Sequence, residues 1–129
     1  MEIAEMLDTV HEIAVVGFSG KPERAGRYVS EYMRQHGYNI TGVTPADVAG
    51  PVKTYRALRD IHHPIDMVVL FRRSEDIPGH LHDILAVHPR VVWMQLGIRN
   101  EAVAKTLRDQ GIEVVQDRCL MVDHRNLKG

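Results

Sequence analysis

Cysteine is almost missing from this sequence: Cys119 stands alone among 129 residues, so no disulfide can close within the chain. Aromatic residues are scarce at 5%, with one Trp and two Phe, which leaves the core to aliphatic side chains. No excess of charge of either sign exists, since 16 basic residues face 17 acidic ones for a net charge of −1. That balance excludes the broad basic face by which proteins hold nucleic acid or an acidic membrane surface. Long apolar runs are absent too. The stretch Met67 to Phe71 is among the longest, far short of the ~20 residues a membrane span requires. Residues 1–10 carry Glu2, Glu5 and Asp8 and no basic n-region, so they do not read as a signal peptide. The expectation is a cytoplasmic protein that meets neither nucleic acid nor membrane. Any anion site must come from local clustering of charge.

What is present is alternation. Short apolar runs lie at 13–17, 39–43, 66–71, 91–94 and 112–115. Several are β-branched on both faces, which suits strands covered on both sides, as in a parallel sheet. Helix-period segments lie between them. Residues 24–36 place Ala25, Tyr28, Val29, Tyr32 and Met33 on one face, and Gly37 supplies the stop. Thr54 is expected to cap a short helix over 54–60, Ser74 a helix over 75–87 and Asn100 a helix over 101–110 that stops at Gly111. Residues 2–10 add a short helix at the front. Strand and helix alternate five times, which predicts residues 1–129 to form one α/β domain, a doubly wound, mostly parallel five-stranded sheet with helices on both faces. In such folds a ligand sits beyond the carboxyl ends of the strands, so the residues after each strand are the ones to inspect.

After the first strand comes a loop with Gly17, Phe18, Ser19, Gly20, Lys21, Pro22 and Arg24, followed by Gly26 and Arg27. The glycines let backbone come close to a ligand, and the next helix aims its N-terminal N–H groups there, which favours phosphate. Three basic residues in one short stretch make a pyrophosphate the natural guest. The dinucleotide fingerprint G-x-G-x-x-G is broken, because Ser19 stands at the second glycine. The alternative for this loop is a plain strand–helix turn with solvated cations. The second strand ends Val43, Thr44, Pro45, with no acid at its tip to take a ribose 2′-hydroxyl as NAD requires. A ribose that carries a phosphate remains compatible. The third strand runs into Phe71, Arg72, Arg73. One arginine can fork onto phosphate while the other pairs with Glu75 or Asp76. The loop Gln95 to Asn100 either lines an outer pocket or turns the chain.

Together these segments resemble the CoA-binding domain family, above all its short stand-alone bacterial and archaeal members, and more distantly the CoA domain of the succinyl-CoA synthetase α subunit. The matching pieces are residues 15–26, 37–46, 65–73, 91–101 and 116–125. They follow the family's order and spacing over nearly the whole chain. The resemblance implies a Rossmann-like fold with coenzyme A, or an acyl-CoA, at the carboxyl edge. The diphosphate would meet Gly17 to Arg24. The adenosine end would lie near Val43, Thr44, Pro45 and Phe71, with Arg72 or Arg73 near phosphate and Ile77 at the start of the following helix. The connection 46–51 is shorter than in many relatives and lacks their phosphate-binding lysine; Lys53 is the substitute to examine.

The synthetase's phosphohistidine domain has no counterpart in this chain, so its ligase reaction does not carry over. Cys119 and His124 are the one cysteine–histidine pair close in sequence, and cysteine of this kind is more often core than nucleophile. The histidine pairs His62–His63 and His80–His82 lack thiolate or carboxylate neighbours at zinc spacing, so no metal is expected. The reading is a non-catalytic binding module. Its alternatives are a CoA-dependent enzyme or redox-linked protein using Cys119, and an NAD(P)-binding protein.

Overall fold

The computed structural model describes residues 1–129. Six strands form one sheet: β1 (Glu12–Val16), β2 (Asn39–Val43), β3 (Lys53–Tyr55), β4 (Met67–Leu70), β5 (Val91–Met94) and β6 (Glu113–Val115). Every pairing is parallel and the order is β3-β2-β1-β4-β5-β6. The chain steps from β1 outward to β2 and β3, then returns to the other side of β1 for β4. That reversal opens a crevice at the carboxyl ends of β1 and β4.

The helices are α1 (Ile3–Thr9), α2 (Ala25–Gln35), α3 (Leu81–Val87), α4 (Glu101–Asp109) and α5 (Leu120–Leu127). Alternate strand residues feed two cores. Ile13, Val15, Met67, Val69, Val91 and Trp93 join Met6, Val29, Met33 and Leu120, under α1, α2 and α5. Ala14, Val16, Val68, Leu70, Val92 and Met94 join Ile84, Val103 and Leu107, under α3 and α4. The runs are apolar at every position because both faces are covered. Trp93 is fully buried, and its indole N–H donates to the Arg118 carbonyl at 2.8 Å.

The sheet has six strands where five were expected. Residues 53–55 form an edge strand in register with Thr41 to Val43, so Thr54 lies inside a strand and caps nothing. Only a 3₁₀ turn at Leu58–Asp60 remains of the helix expected over 54–60. Thr and Tyr favour an extended backbone, and the edge of β2 offers them hydrogen-bond partners. The helix expected over 75–87 divides into a 3₁₀ segment, Ser74–His80, and α3. Pro78 lacks the N–H that an α-helix would need there. Ser74 is not a cap; its Oγ accepts from the Arg99 N–H at 3.0 Å. Asn100 does cap α4, accepting from the Val103 N–H at 3.0 Å.

Helix α5 was not anticipated, because two of its buried positions are polar, Asp123 and His124. Asp123 takes both arms of the Arg118 guanidinium, at 2.6 and 2.8 Å. Nδ1 of His124 lies 2.9 Å from the Tyr32 hydroxyl and shares a hydrogen bond with it. Burial first, then the charges of His36 and Lys128, hold the His124 pKa below the ordinary imidazole value of 6.5. The unfolded chain therefore takes up a proton that the folded chain resists. Stability is full above the unfolded value and is lost as pH falls through that value towards the lower folded one. His80 acts with the same sign, through burial first and the charge of Arg72 second. Urea denaturation is expected to show stability falling from neutral pH to about 5, and falling less in His124→Gln. Equal slopes in the two proteins would place the acid sensitivity elsewhere.

Candidate functional site

The site begins where β1 ends. Gly17 adopts φ +88°, and its N–H, with that of Phe18, donates to the Val43 carbonyl at 3.0 and 3.3 Å. A side chain at Gly17 would run into the Phe71 carbonyl oxygen, 2.6 Å from its Cβ position. The loop then closes on itself: the Lys21 N–H donates to Ser19 Oγ at 3.1 Å, and the Arg24 N–H to the Lys21 carbonyl at 3.0 Å. No side chain caps α2; the Arg27 N–H turns back to the Arg24 carbonyl at 2.9 Å, and the N–H groups of Ala25 and Gly26 stay open to the loop. A Cβ on Gly26 would sit 2.3 Å from the Gly17 carbonyl oxygen, which shows how closely that first turn lies against the loop.

A cleft of two connected lobes follows from this arrangement. The larger, about 550 Å³, is walled by the β1 loop from Gly17 to Gly26, by Thr44 and Pro45 after β2, by Phe71 and Arg72 after β4, and by Gln95, Leu96 and Ile98 after β5. The smaller, about 420 Å³, lies between the β1 loop and the connection after β2. Gly20, Lys21, Arg27, Thr44, Asp47 and Val48 line it. Phe18 is 3% exposed and floors both lobes.

The charge around this cleft is one-sided. Lys21, Arg24 and Arg72 line the larger lobe, and no Asp, Glu, His or Cys does. Lys21 and Arg24 make no ion pair. The neighbouring arginines differ: Arg27 reaches Glu31 at 3.8 Å, and Arg73 reaches Glu75 and Asp76, both at 3.2 Å. Arg72 has only a long contact to Asp76 at 3.8 Å. Asp47, the one acid of the smaller lobe, lies 3.7 Å from Arg56, whose other nitrogen donates to the Pro45 carbonyl at 2.7 Å.

The sequence-derived candidates divide accordingly. Gly17, Phe18, Ser19, Lys21, Arg24, Thr44, Pro45, Phe71 and Arg72 come together in the larger lobe, and Gly20 joins the smaller one. Four do not line the cleft. Val43 is 7% exposed and serves through its carbonyl. Pro22 is exposed in the turn. Arg73 points its charge at its own helix segment. Ile77 is fully buried in the core beneath α3, so it cannot touch a ligand there. Lys53 stands on β3 with its ammonium 5.4 Å from the Tyr55 ring, outside both lobes. The sequence reading passed over Ala46, Val48 and Ala49. Val48 packs on Gly20, a contact that no periodicity in an irregular connection could announce.

The segment after β6 seats the rim. Asp117, in the left-handed region at φ 58°, accepts the Gly97 N–H at 2.6 Å. The Leu120 N–H donates to Gln95 Oε1 at 3.2 Å. Cys119 is half-buried at the head of α5 and lines neither lobe. His124 Nδ1 is committed to Tyr32.

Strand order and switch point define a Rossmann-like α/β domain, with a cleft lined by basic residues at the carboxyl edge of its sheet. The chain belongs to the CoA binding domain family, whose model matches residues 11–125. It is 41% identical over 124 residues to YneT of Bacillus subtilis (strain 168), covering 95% of this chain and 92% of YneT. The structure of the cell-free ID.343 protein from Thermus thermophilus superposes with a TM-score of 0.91 at 36% identity, covering 97% of this chain and 96% of that one. A protein from Pyrococcus horikoshii OT3 superposes with a TM-score of 0.90 at 32% identity, covering 98% and 90%. No helix is long and apolar enough to cross a membrane.

Proposed function

We propose that the cleft binds coenzyme A, free or as a thioester, and that the chain is a non-catalytic binding module of the cytoplasm. The observation that carries this reading is a lobe with Lys21, Arg24 and Arg72 on its wall and no carboxylate to answer them. The diphosphate lies across the first turn of α2, with Lys21 and Arg24 on one side and Arg72 on the other. The adenosine end lies against Thr44 and Pro45, with its ribose phosphate in the smaller lobe near Lys21 and Arg27. Phe71 is separated from Thr44 by the width of β1, so it walls the middle of the cleft and not the adenine. Membership of the CoA binding domain family supports the ligand. Thr44 at the tip of β2, where NAD wants a carboxylate, weighs against a dinucleotide with a free ribose diol. The larger lobe offers no nucleophile paired with a base, which favours holding the ligand over reacting with it.

Calorimetric titration with coenzyme A, 3′-dephospho-coenzyme A and NAD tests this directly. Coenzyme A is expected to bind tightest, with a sharp loss when the 3′-phosphate is removed. Binding of NAD alone would overturn the reading while leaving the fold intact.

The two adjacent arginines give a finer test. Arg72→Ala removes a charge-assisted phosphate contact and is expected to cost about 1.5–3 kcal/mol of binding. Arg73 is 76% exposed and already occupied by Glu75 and Asp76, so Arg73→Ala should change affinity by no more than about twofold, as for other surface charges. Equal losses in the two variants would overturn Arg72 as the phosphate contact, and wild-type affinity in both would place the phosphates away from β4.

A further inference from the structure

The cleft changes character along its length. It crosses the sheet from the end of β2 to the end of β5, three strand intervals or about 14 Å. The basic residues lie on the loops after β1 and β4, and the far wall after β5 is Gln95, Leu96 and Ile98, all uncharged. Coenzyme A has a fixed linear order of nucleotide, diphosphate, pantetheine and thiol. With the nucleotide by β2 and the diphosphate at the β1 loop, the thiol end arrives at β5.

The Leu96 and Ile98 part of that wall is apolar and held in place. Leu96 is 67% exposed, the most exposed large hydrophobic side chain of the protein. Such a residue usually sits on a pliable loop, yet the backbone around this one is pinned. The Gly97 N–H is taken by Asp117, that of Ile98 by the Gln95 carbonyl at 2.9 Å, that of Arg99 by Ser74, and that of Asn100 by Gln116 Oε1 at 2.8 Å. Asp117 makes its bond from a left-handed backbone, a conformation that Asp adopts more readily than most residues with a Cβ. The nearby cation Arg99 is answered by Glu101 at 3.0 Å and Asp117 at 3.9 Å, and Arg72, the other cation of this lobe, is taken by phosphate when coenzyme A is bound, which leaves no cation for an acidic acyl group.

We infer that Leu96 and Ile98 form an acyl subsite, and that the protein prefers coenzyme A thioesters of uncharged aliphatic acids over free coenzyme A and over thioesters that end in a carboxylate. This rests on the reading of the cleft as a coenzyme A site. It adds that the apolar rim has a ligand of its own, and that a thioester held there stays intact, because the larger lobe presents no acid, imidazole or thiol to attack it.

The experiment is calorimetric titration of the full chain with coenzyme A, butyryl-CoA and succinyl-CoA. Complete burial of one methylene strengthens binding about fourfold, so a butyryl group partly covered by the rim should bind about tenfold tighter than free coenzyme A. Leu96→Ser should reduce that ratio to about twofold, and Ile98→Ala should reduce it as well. Leu96 is exposed enough that its variant folds, which the melting temperature verifies. A wild-type ratio near one, a ratio unchanged in Leu96→Ser, or tighter binding of succinyl-CoA than butyryl-CoA overturns the inference. Those results leave the coenzyme A site standing provided that free coenzyme A binds. Failure of all three ligands to bind removes that site and this inference with it.

Discussion

With alanine at both Lys21 and Arg24, coenzyme A binding is expected to weaken by about two to four orders of magnitude. The estimate is two charge-assisted contacts to phosphate at about 1.5–3 kcal/mol each. Their sum is an upper bound, since neighbours that share one diphosphate do not act independently. Both side chains are exposed at the mouth of the larger lobe and make no ion pair. The bonds that shape the loop, Lys21 N–H to Ser19 Oγ and Arg24 N–H to the Lys21 carbonyl, use backbone donors that alanine keeps. The doubly substituted protein should therefore melt where the wild type does, which separates loss of ligand from loss of fold. Raising the salt concentration should weaken wild-type binding more than binding by the variant, because the variant has less charge to screen. Titration at two salt concentrations reads both effects. Wild-type affinity in the double variant would detach the phosphates from this loop.

How much of the site was legible in the sequence depended on whether its residues follow a period. The strands were plain because alternate positions enter two separate cores, and a parallel sheet covered on both sides needs apolar residues at all of them. The glycine-bearing loop was plain because a turn with positive φ at Gly17 and a helix laid against it at Gly26 leaves glycine the residue that fits. Edge strand β3 was hidden. Lys53, Thr54 and Tyr55 are too few to show alternation, and they pair only because β2 has a free edge. Helix α5 was hidden because Asp123 and His124 are buried by specific partners, Arg118 and Tyr32, that lie outside any periodic face.

The arginines show the same limit at the scale of one side chain. Adjacent Arg72 and Arg73 look alike in sequence, and the expectation that one of them pairs with Glu75 or Asp76 did not say which. The start of the 3₁₀ segment decides it. Its turn brings Asp76 to Arg73 at 3.2 Å and leaves Arg72 at 3.8 Å, on the wall of the cleft. Ile77 was implied at the site by the family resemblance, and the same turn carries it into the core. The segment 117–120, whose residues matched the family without an implied role, proves to be the clamp between β5 and α5. Asp117 holds Gly97, Arg118 holds Asp123, and Leu120 meets Gln95.

The close approach of α2 to the β1 loop makes Gly26→Ala a strongly damaging substitution, although it adds a single methyl group. Gly26 is buried, and a methyl group there would stand 2.3 Å from the Gly17 carbonyl oxygen and 3.3 Å from its carbonyl carbon. Both are backbone atoms, so no side chain can rotate away, and either the helix or the loop must move. The Gly17 N–H is fixed to Val43, and a Cβ position at Gly17 is already only 2.6 Å from the Phe71 carbonyl oxygen, so the loop has little room to yield. Overpacking of this kind costs about 3 kcal/mol, or about 10 °C in melting temperature for a chain of this length. The shift opens the first turn of α2 away from the loop, so coenzyme A should also bind more weakly in whatever fraction remains folded. Gly79→Ala is the control: nothing lies within 4 Å of its Cβ position and its backbone is ordinary, so its stability should stay within about 0.5 kcal/mol of wild type. Thermal unfolding of both variants, with and without coenzyme A, separates the two costs. If Gly26→Ala melts like the wild type and is stabilised by coenzyme A to the same extent, the packing of α2 on the loop is not what shapes the phosphate end of the cleft.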